Sequence, residues 1–404
     1  MHAPQKEPTE ESRRESLLRL LSPVLVILFL KLVGGLLLYF WLNIGNTDSY
    51  WMRAGSGGEG QNEILQLWSS QESRWLYLFL GWDSSWYLSI SAKGYAFSTQ
   101  SYAFFPALPL FTWLLNSLFQ NPLLAIVFVS ISTGIAWIPL YQLAIEEYVG
   151  KSNAPLATLL YATSPYVFLF TTVAYSESFF LLATIGAWYS FKKKKTPLAI
   201  AFASLAIVSR PTGIVILLPM LAEISQTHRH TGAPLRLQDF LYLAVPLATF
   251  FSWLLYCRIM INDWIAPFDR SAWDDWVALF GILFKIIPKG ELSTLLGSLR
   301  MSFTVYQLPC ALFLPLSALL IRQLARADRK LAIYSTAYFI GIVAFGSLAS
   351  LPRFASFLYP MWIPAVKKLG RSRNPVPVTV LICISFFLSS LLLWSGFLNG
   401  QFIA

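Results

Sequence analysis

The chain has 404 residues, 56% of them hydrophobic and only 12% charged, with a formal net charge of +10. A soluble domain carries about a quarter charged residues. Several runs here are long enough to cross roughly 30 Å of hydrocarbon, so the composition excludes a soluble globular protein and predicts a polytopic all-α membrane protein. The excess of Lys and Arg gathers in short loops between apolar runs. That is the positive-inside pattern and not a nucleic-acid footprint.

In chain order, residues 1–21 form a polar tail, and the first apolar run, 22–43, shows no small-residue cleavage site and reads as a retained anchor. Residues 44–102 form a long polar outer loop that includes Gly55-Ser56-Gly57-Gly58. The run 103–119 is apolar but interrupted by Pro106 and Pro109. Further apolar runs cover 123–145, 155–173, 177–191, 197–209, 212–224, 239–261, 299–321, 331–350, 354–366 and 377–399, which predicts roughly ten to eleven membrane helices in one domain, 22–404.

Charge decides the orientation. With the N-terminus, 146–154, 192–196, 223–239, 322–330 and 367–373 facing the cytoplasm, that side holds 19 of the 30 Lys and Arg, against eight on the other. Lys192 to Lys195, four in a row, is the strongest marker. On this count 103–119 is re-entrant or interfacial, because a full span there would place 192–195 outside. The 197–224 run becomes two short helices meeting at an outer corner, Arg210-Pro211-Thr212-Gly213.

Cys257, Cys310 and Cys383 lie apart in apolar segments and predict neither a disulfide nor a metal. His2 is in the tail, and His228 and His230 flank Arg229 in a polar loop, a weak metal site at best against a solvated loop. No His lies in the apolar body, which argues against haem, a zinc-bound water or a Ser-His nucleophile.

Four polar clusters converge on the outer face: Asp83 with its aromatic segment, 164–177, 210–213 and 351–354. At helical spacing Asp83, Trp86, Tyr87 and Ile90 share one face, which predicts a short amphipathic helix lying in the membrane interface. Trp82, Trp86, Tyr87 and Tyr95 are substrate-binding candidates, with Tyr102 and Phe104 as guides for a lipid; the plainer reading is an interfacial aromatic belt. Arg210 and Arg353 read either as snorkelling or paired side chains or as a clamp on a lipid phosphate, which a guanidinium fork suits. Glu177 stands between a structural ion pair and a substrate ligand. Ser164-Pro165 and Tyr175-Ser176 read as helix-end residues.

WDSSWYLSISAKGY followed by AFFPALPL, then SPYVFLFTTVAYSESFF, then SRPTG, resembles in this order the second-mannose transferase of glycosylphosphatidylinositol synthesis (PIG-V type) and its prokaryotic relatives. The resemblance covers roughly 82–220, and LPRFASFLYP at 351–360 is similar to a later family element. It implies a GT-C-type helical glycosyltransferase that takes a hexose, mannose in the family, from a polyprenyl- or dolichyl-phosphate carrier on the outer or luminal face. The family's catalytic carboxylate maps onto Asp83. Ser84 and Ser85 follow it, so the Asp-x-Asp pair of metal-dependent relatives is missing, and no metal or other cofactor is expected beyond the lipid-phosphate sugar.

Inverting transfer needs one base, and an anionic lipid phosphate leaves without a general acid where Arg neutralises it. The acceptor is a glycolipid or lipid-linked molecule of unspecified identity. The alternative from another class is a transporter or flippase of lipid-linked sugars, which would string charges along a pathway through two similar halves. Short loops suit a prokaryotic plasma membrane, with the endoplasmic reticulum as the alternative.

Overall fold

A computed structural model describes residues 10–42, 74–232, 234–268, 307–345, 350–370 and 375–399. Among them all regular structure is helical. The expected outer loop therefore enters only from residue 74 onward, and Asp48, Ser56 and all of 269–306 lie outside the described residues.

Among the described residues, four helices are long and apolar enough to cross a bilayer: α1 (Glu10–Trp41), α4 (Pro122–Val149), α10 (Leu237–Ile261) and α15 (Pro375–Leu398). α4 shows how the sequence sets such an element. Asn121 accepts a hydrogen bond from the Leu124 N–H at 3.0 Å, Pro122 occupies the first turn where no N–H is needed, and Gly150 ends the helix at φ 79°. Its 28 residues extend about 42 Å. Only 11% of the most apolar window of α15 is buried within the protein, and side chains such as Leu381, Leu388 and Leu392 face outward, where lipid would cover them.

The remaining helices are shorter, and Pro marks several of their breaks. They are α2 (Asp83–Lys93), α3 (Ala107–Phe119), α5 (Ala154–Thr163), α6 (Pro165–Phe170), α7 (Glu177–Lys192), α8 (Thr196–Ser209), α9 (Leu217–Thr231), α11 (Gln307–Ala327), α12 (Arg329–Phe345), α13 (Leu351–Ser356) and α14 (Trp362–Gly370). Within the described residues the twelve apolar runs of the sequence thus correspond to helices, but most are broken or too short to cross unaided. The 13 residues of α3 reach about 20 Å, less than a hydrocarbon core. The 155–173 run is cut at Ser164-Pro165, because the residue before proline is driven to extended backbone (φ −58°, ψ 137° at Ser164).

The predicted pair of helices at 197–224 is present as α8 and α9, joined by a 3-10 turn over Pro211–Ile216. Arg210 is extended ahead of Pro211, and a Cβ on Gly213 would stand 2.0 Å from the Ala206 carbonyl oxygen. Glycine here lets the turn lie directly on the backbone of α8.

Packing gathers the loops at two ends. At one end Arg19 meets Glu146 at 3.3 Å, Glu223 receives Lys330 at 2.6 Å and Lys192 at 3.8 Å, and the Tyr148 hydroxyl donates to Asp328 at 2.6 Å. At the other end lie Asp83, Glu177, Arg210 and Arg353. α7 joins the two, a helix of 16 residues with Glu177 opening it and Lys192 closing it about 22 Å away. The charge-rich loops and the four-residue cluster therefore occupy opposite ends of the bundle.

Candidate active site

The site is built on a short stretch of backbone, 79–85. Gly81 packs against the Phe397 ring, where a Cβ would come within 2.9 Å. Trp82 follows at φ 47° and ψ −113°, a conformation that bulky residues rarely adopt. Strain of this kind costs on the order of 1–3 kcal/mol and persists only where the surroundings impose it. Here the surroundings are visible. The Ala174 N–H donates to the Phe79 carbonyl at 2.8 Å, and the Ser84 hydroxyl donates to the Ala174 carbonyl at 3.0 Å. The Gly81 N–H donates to Ser84 Oγ at 3.2 Å, and the Asp83 N–H to the Tyr175 hydroxyl at 3.1 Å. Asp83 is thereby fixed as the first residue of α2.

The opposing wall is the buried corner between α6 and α7, residues 171–176. Lys31 of α1 reaches it. Only 5% exposed, its Nζ donates to the Thr171 carbonyl at 2.5 Å and to Thr171 Oγ1 at 3.0 Å. A Cβ on Gly134 would stand 2.0 Å from the same carbonyl oxygen, so α4 approaches the corner as closely as backbone can. Tyr87 donates to Ser176 Oγ at 2.9 Å and ties α2 to the start of α7.

The charged groups form a chain across this wall. Glu177 Oε1 receives Arg210 Nη1 at 2.6 Å and Arg353 Nε at 2.8 Å, and Arg353 Nη2 extends on to Asp83 Oδ2 at 3.5 Å. Side-chain exposure rises along it, from 1% for Glu177 and 10% for Arg353 to 32% for Asp83, so Asp83 is the open end. Aromatic faces hold the guanidiniums. Arg353 lies 4.9 Å from the Phe170 centroid, 5.2 Å from Tyr175 and 4.8 Å from Phe354, and Arg210 lies 4.6 Å from Phe354.

The four residues singled out in the sequence for their charge, Asp83, Glu177, Arg210 and Arg353, thus meet at one place. Of the aromatic candidates, Trp82 and Tyr87 border this cluster, while Trp86 and Tyr95 have other surroundings. Trp86 stacks on Phe104 (5.2 Å, 15°) and on Phe97 (5.9 Å, 29°). The Tyr95 hydroxyl donates to the Phe104 carbonyl at 2.8 Å, within a group of rings that includes Tyr102, Trp253 and Tyr256. The expectation that α2 buries only one face needs correction. Ser84 to Ile90 are all buried, so beyond the partly exposed Asp83 α2 is enclosed on every side as far as Ile90. Ser84 and Ser85, small and hydrogen-bonded, let the corner and the neighbouring helices pack where a solvated polar face was expected.

Tyr175 was read as a helix-end residue and is in contact with both Asp83 and Arg353. Lys31 and the backbone of Trp82 were likewise not singled out. The signals available were a lone cation inside an apolar run and a bulky residue after glycine. Among the described residues, no three His, Cys, Asp or Glu side chains come together in a way that could hold a metal ion.

Fold and site define a polytopic helical membrane protein with one charged cluster buried at one end of its bundle. The model of the mannosyltransferase (PIG-V) family matches residues 61–262, half of the chain, and the protein belongs to that family. Asp83, Glu177 and Arg210 fall within the matched stretch, and Arg353 lies beyond it. No curated protein matches the chain in direct sequence comparison. Among solved structures, ArnT from Cupriavidus metallidurans bound to undecaprenyl phosphate is similar over 88% of this chain, at 16% identity and a TM-score of 0.48. The similarity covers 62% of that protein, so this chain matches less than two thirds of its length.

Proposed function

We propose that the protein transfers a hexose, mannose by family, from a polyprenyl-phosphate carrier to a glycolipid or lipid-linked acceptor, with inversion at the anomeric carbon. The observation that carries this reading is the graded cluster, in which a partly exposed carboxylate, Asp83, touches a guanidinium that a buried carboxylate, Glu177, holds from behind.

In this reading the acceptor hydroxyl oxygen attacks the anomeric carbon and its proton passes to Asp83. The bond from that carbon to the phosphate oxygen breaks, and the polyprenyl phosphate departs with the electron pair. Arg353, and Arg210 beside it, stabilise the charge that grows on the departing oxygen, within a site of low dielectric where such contacts count for most. The incoming phosphate takes the place of Asp83 at Arg353 Nη2 and releases the carboxylate to act as base. Glu177 belongs to the framework, because both arginines reach it and it is almost fully buried. No divalent metal takes part.

The charge count supports a site on the outer or luminal face, with the short loops favouring a prokaryotic plasma membrane. The test is transfer by purified, reconstituted protein supplied with polyprenyl-phosphate mannose, or the glucose equivalent, and a membrane-lipid extract. Mass spectrometry should find a product heavier by one hexose and free polyprenyl phosphate in equal amount. Absence of both with either donor rules the reading out.

A further inference from the structure

Tyr175 holds a position that packing alone does not explain. Its ring is 2% exposed and sits among Phe170 and Phe397, with centroids 5.0 Å and 5.9 Å away. Phenylalanine would fill that space, and a hydroxyl buried there is unfavourable unless it is used. It is used on α2. The N–H groups of a helix's first turn have no partners within the helix, and a side chain at the N-cap normally supplies one. Trp82, at the N-cap of α2, makes no such bond, and the Tyr175 hydroxyl, 92 positions along the chain, accepts from the Asp83 N–H at 3.1 Å instead. The face of the same ring carries the Arg353 guanidinium at 5.2 Å. One side chain therefore touches the backbone of the proposed base and the cation proposed to receive the leaving group.

We infer that Tyr175 is a positioning residue that sets the Asp83 carboxylate by capping α2 with its hydroxyl, and that its ring separately supports Arg353. This rests on the transfer reading above and assigns the two halves of one side chain to the two ends of the reaction. The hydroxyl acts through Asp83, so its loss should slow chemistry without weakening the hold on the donor phosphate. Loss of the ring should do both.

The experiment is a kinetic cycle on the full-length reconstituted protein with polyprenyl-phosphate mannose. Tyr175→Phe should lower kcat roughly tenfold, the worth of one net hydrogen bond, and leave the donor KM within about twofold. Combined with Asp83→Asn, the same change should cost nothing further, because residues acting as a unit are not additive. Tyr175→Leu should raise the donor KM as well as lower kcat. Should the leucine variant fail to give a monodisperse preparation, the phenylalanine variant and the double variant decide the matter. An equal loss in both backgrounds means that Tyr175 acts independently of Asp83 and overturns the inference. Wild-type kcat in Tyr175→Phe overturns it too, while Asp83→Asn remains slow and the transfer reading stands. Near-full turnover in Asp83→Asn removes the base itself, and both fall.

Discussion

Arg353 Nη2 stands 3.5 Å from Asp83 Oδ2, although the two residues come from opposite parts of the chain. The contact is long for a charge-assisted pair, and the same guanidinium makes a shorter one, 2.8 Å, to the deeper Glu177. A buried anchor and a partly exposed outer partner on one arginine give the cluster one closed end and one open end.

Asp83→Asn keeps size and hydrogen bonding but cannot take the acceptor's proton. Turnover should fall by on the order of 10²–10⁴-fold. Binding of polyprenyl phosphate, followed by thermal shift or calorimetry, should be unchanged or tighter, since the carboxylate competes with phosphate for Arg353.

Arg353→Ala should raise the donor KM and lower kcat together, because its charge is felt in both ground and transition states. Arg353→Lys should recover only part of the loss, since an ammonium cannot give a two-pronged contact. Arg210→Ala should show the same pattern in weaker form, as Arg210 is joined to the cluster through Glu177. Steady-state kinetics against donor concentration reads all three.

Glu177→Gln addresses the framework. Two guanidiniums would lose their shared buried carboxylate, and breaking such a pair costs about 3–5 kcal/mol. The expected result is a lower unfolding temperature and poor yield in detergent, relieved in part by Arg210→Met in the same chain. A stable, fully folded Glu177→Gln protein with impaired donor binding would instead make Glu177 a substrate ligand.

For orientation, single cysteines at Ala96 and Lys193, both exposed, are placed in a background lacking Cys257, Cys310 and Cys383. An impermeant maleimide added to intact cells should label the first and spare the second. Labelling of both from one side would remove the outward-facing site.

Turnover should also survive EDTA, with no gain from added manganese or magnesium. A requirement for either ion would displace the arginines from their role in departure.

Much of this was legible in sequence because charge inside an apolar chain is rare. Arg210 and Arg353 stood out for that reason, and the loop count placed them at the same end as Asp83. The enclosure of α2 was not legible. Serines at 84, 85 and 89 score as polar, and only the packed partner shows that they are buried. The link from Tyr175 to Asp83 was hidden for a related reason. A hydrogen bond between distant segments leaves no period or spacing in either of them.

The cluster has two guanidiniums and two carboxylates, so its formal charge is zero, although the chain as a whole carries +10. Opposite charges packed this closely cancel within a few ångströms, and little field reaches beyond them. An anionic lipid donor would then gain no long-range electrostatic capture and would find the site by two-dimensional diffusion along its own leaflet. Transfer rates should vary little with ionic strength and should track the surface density of donor in the bilayer.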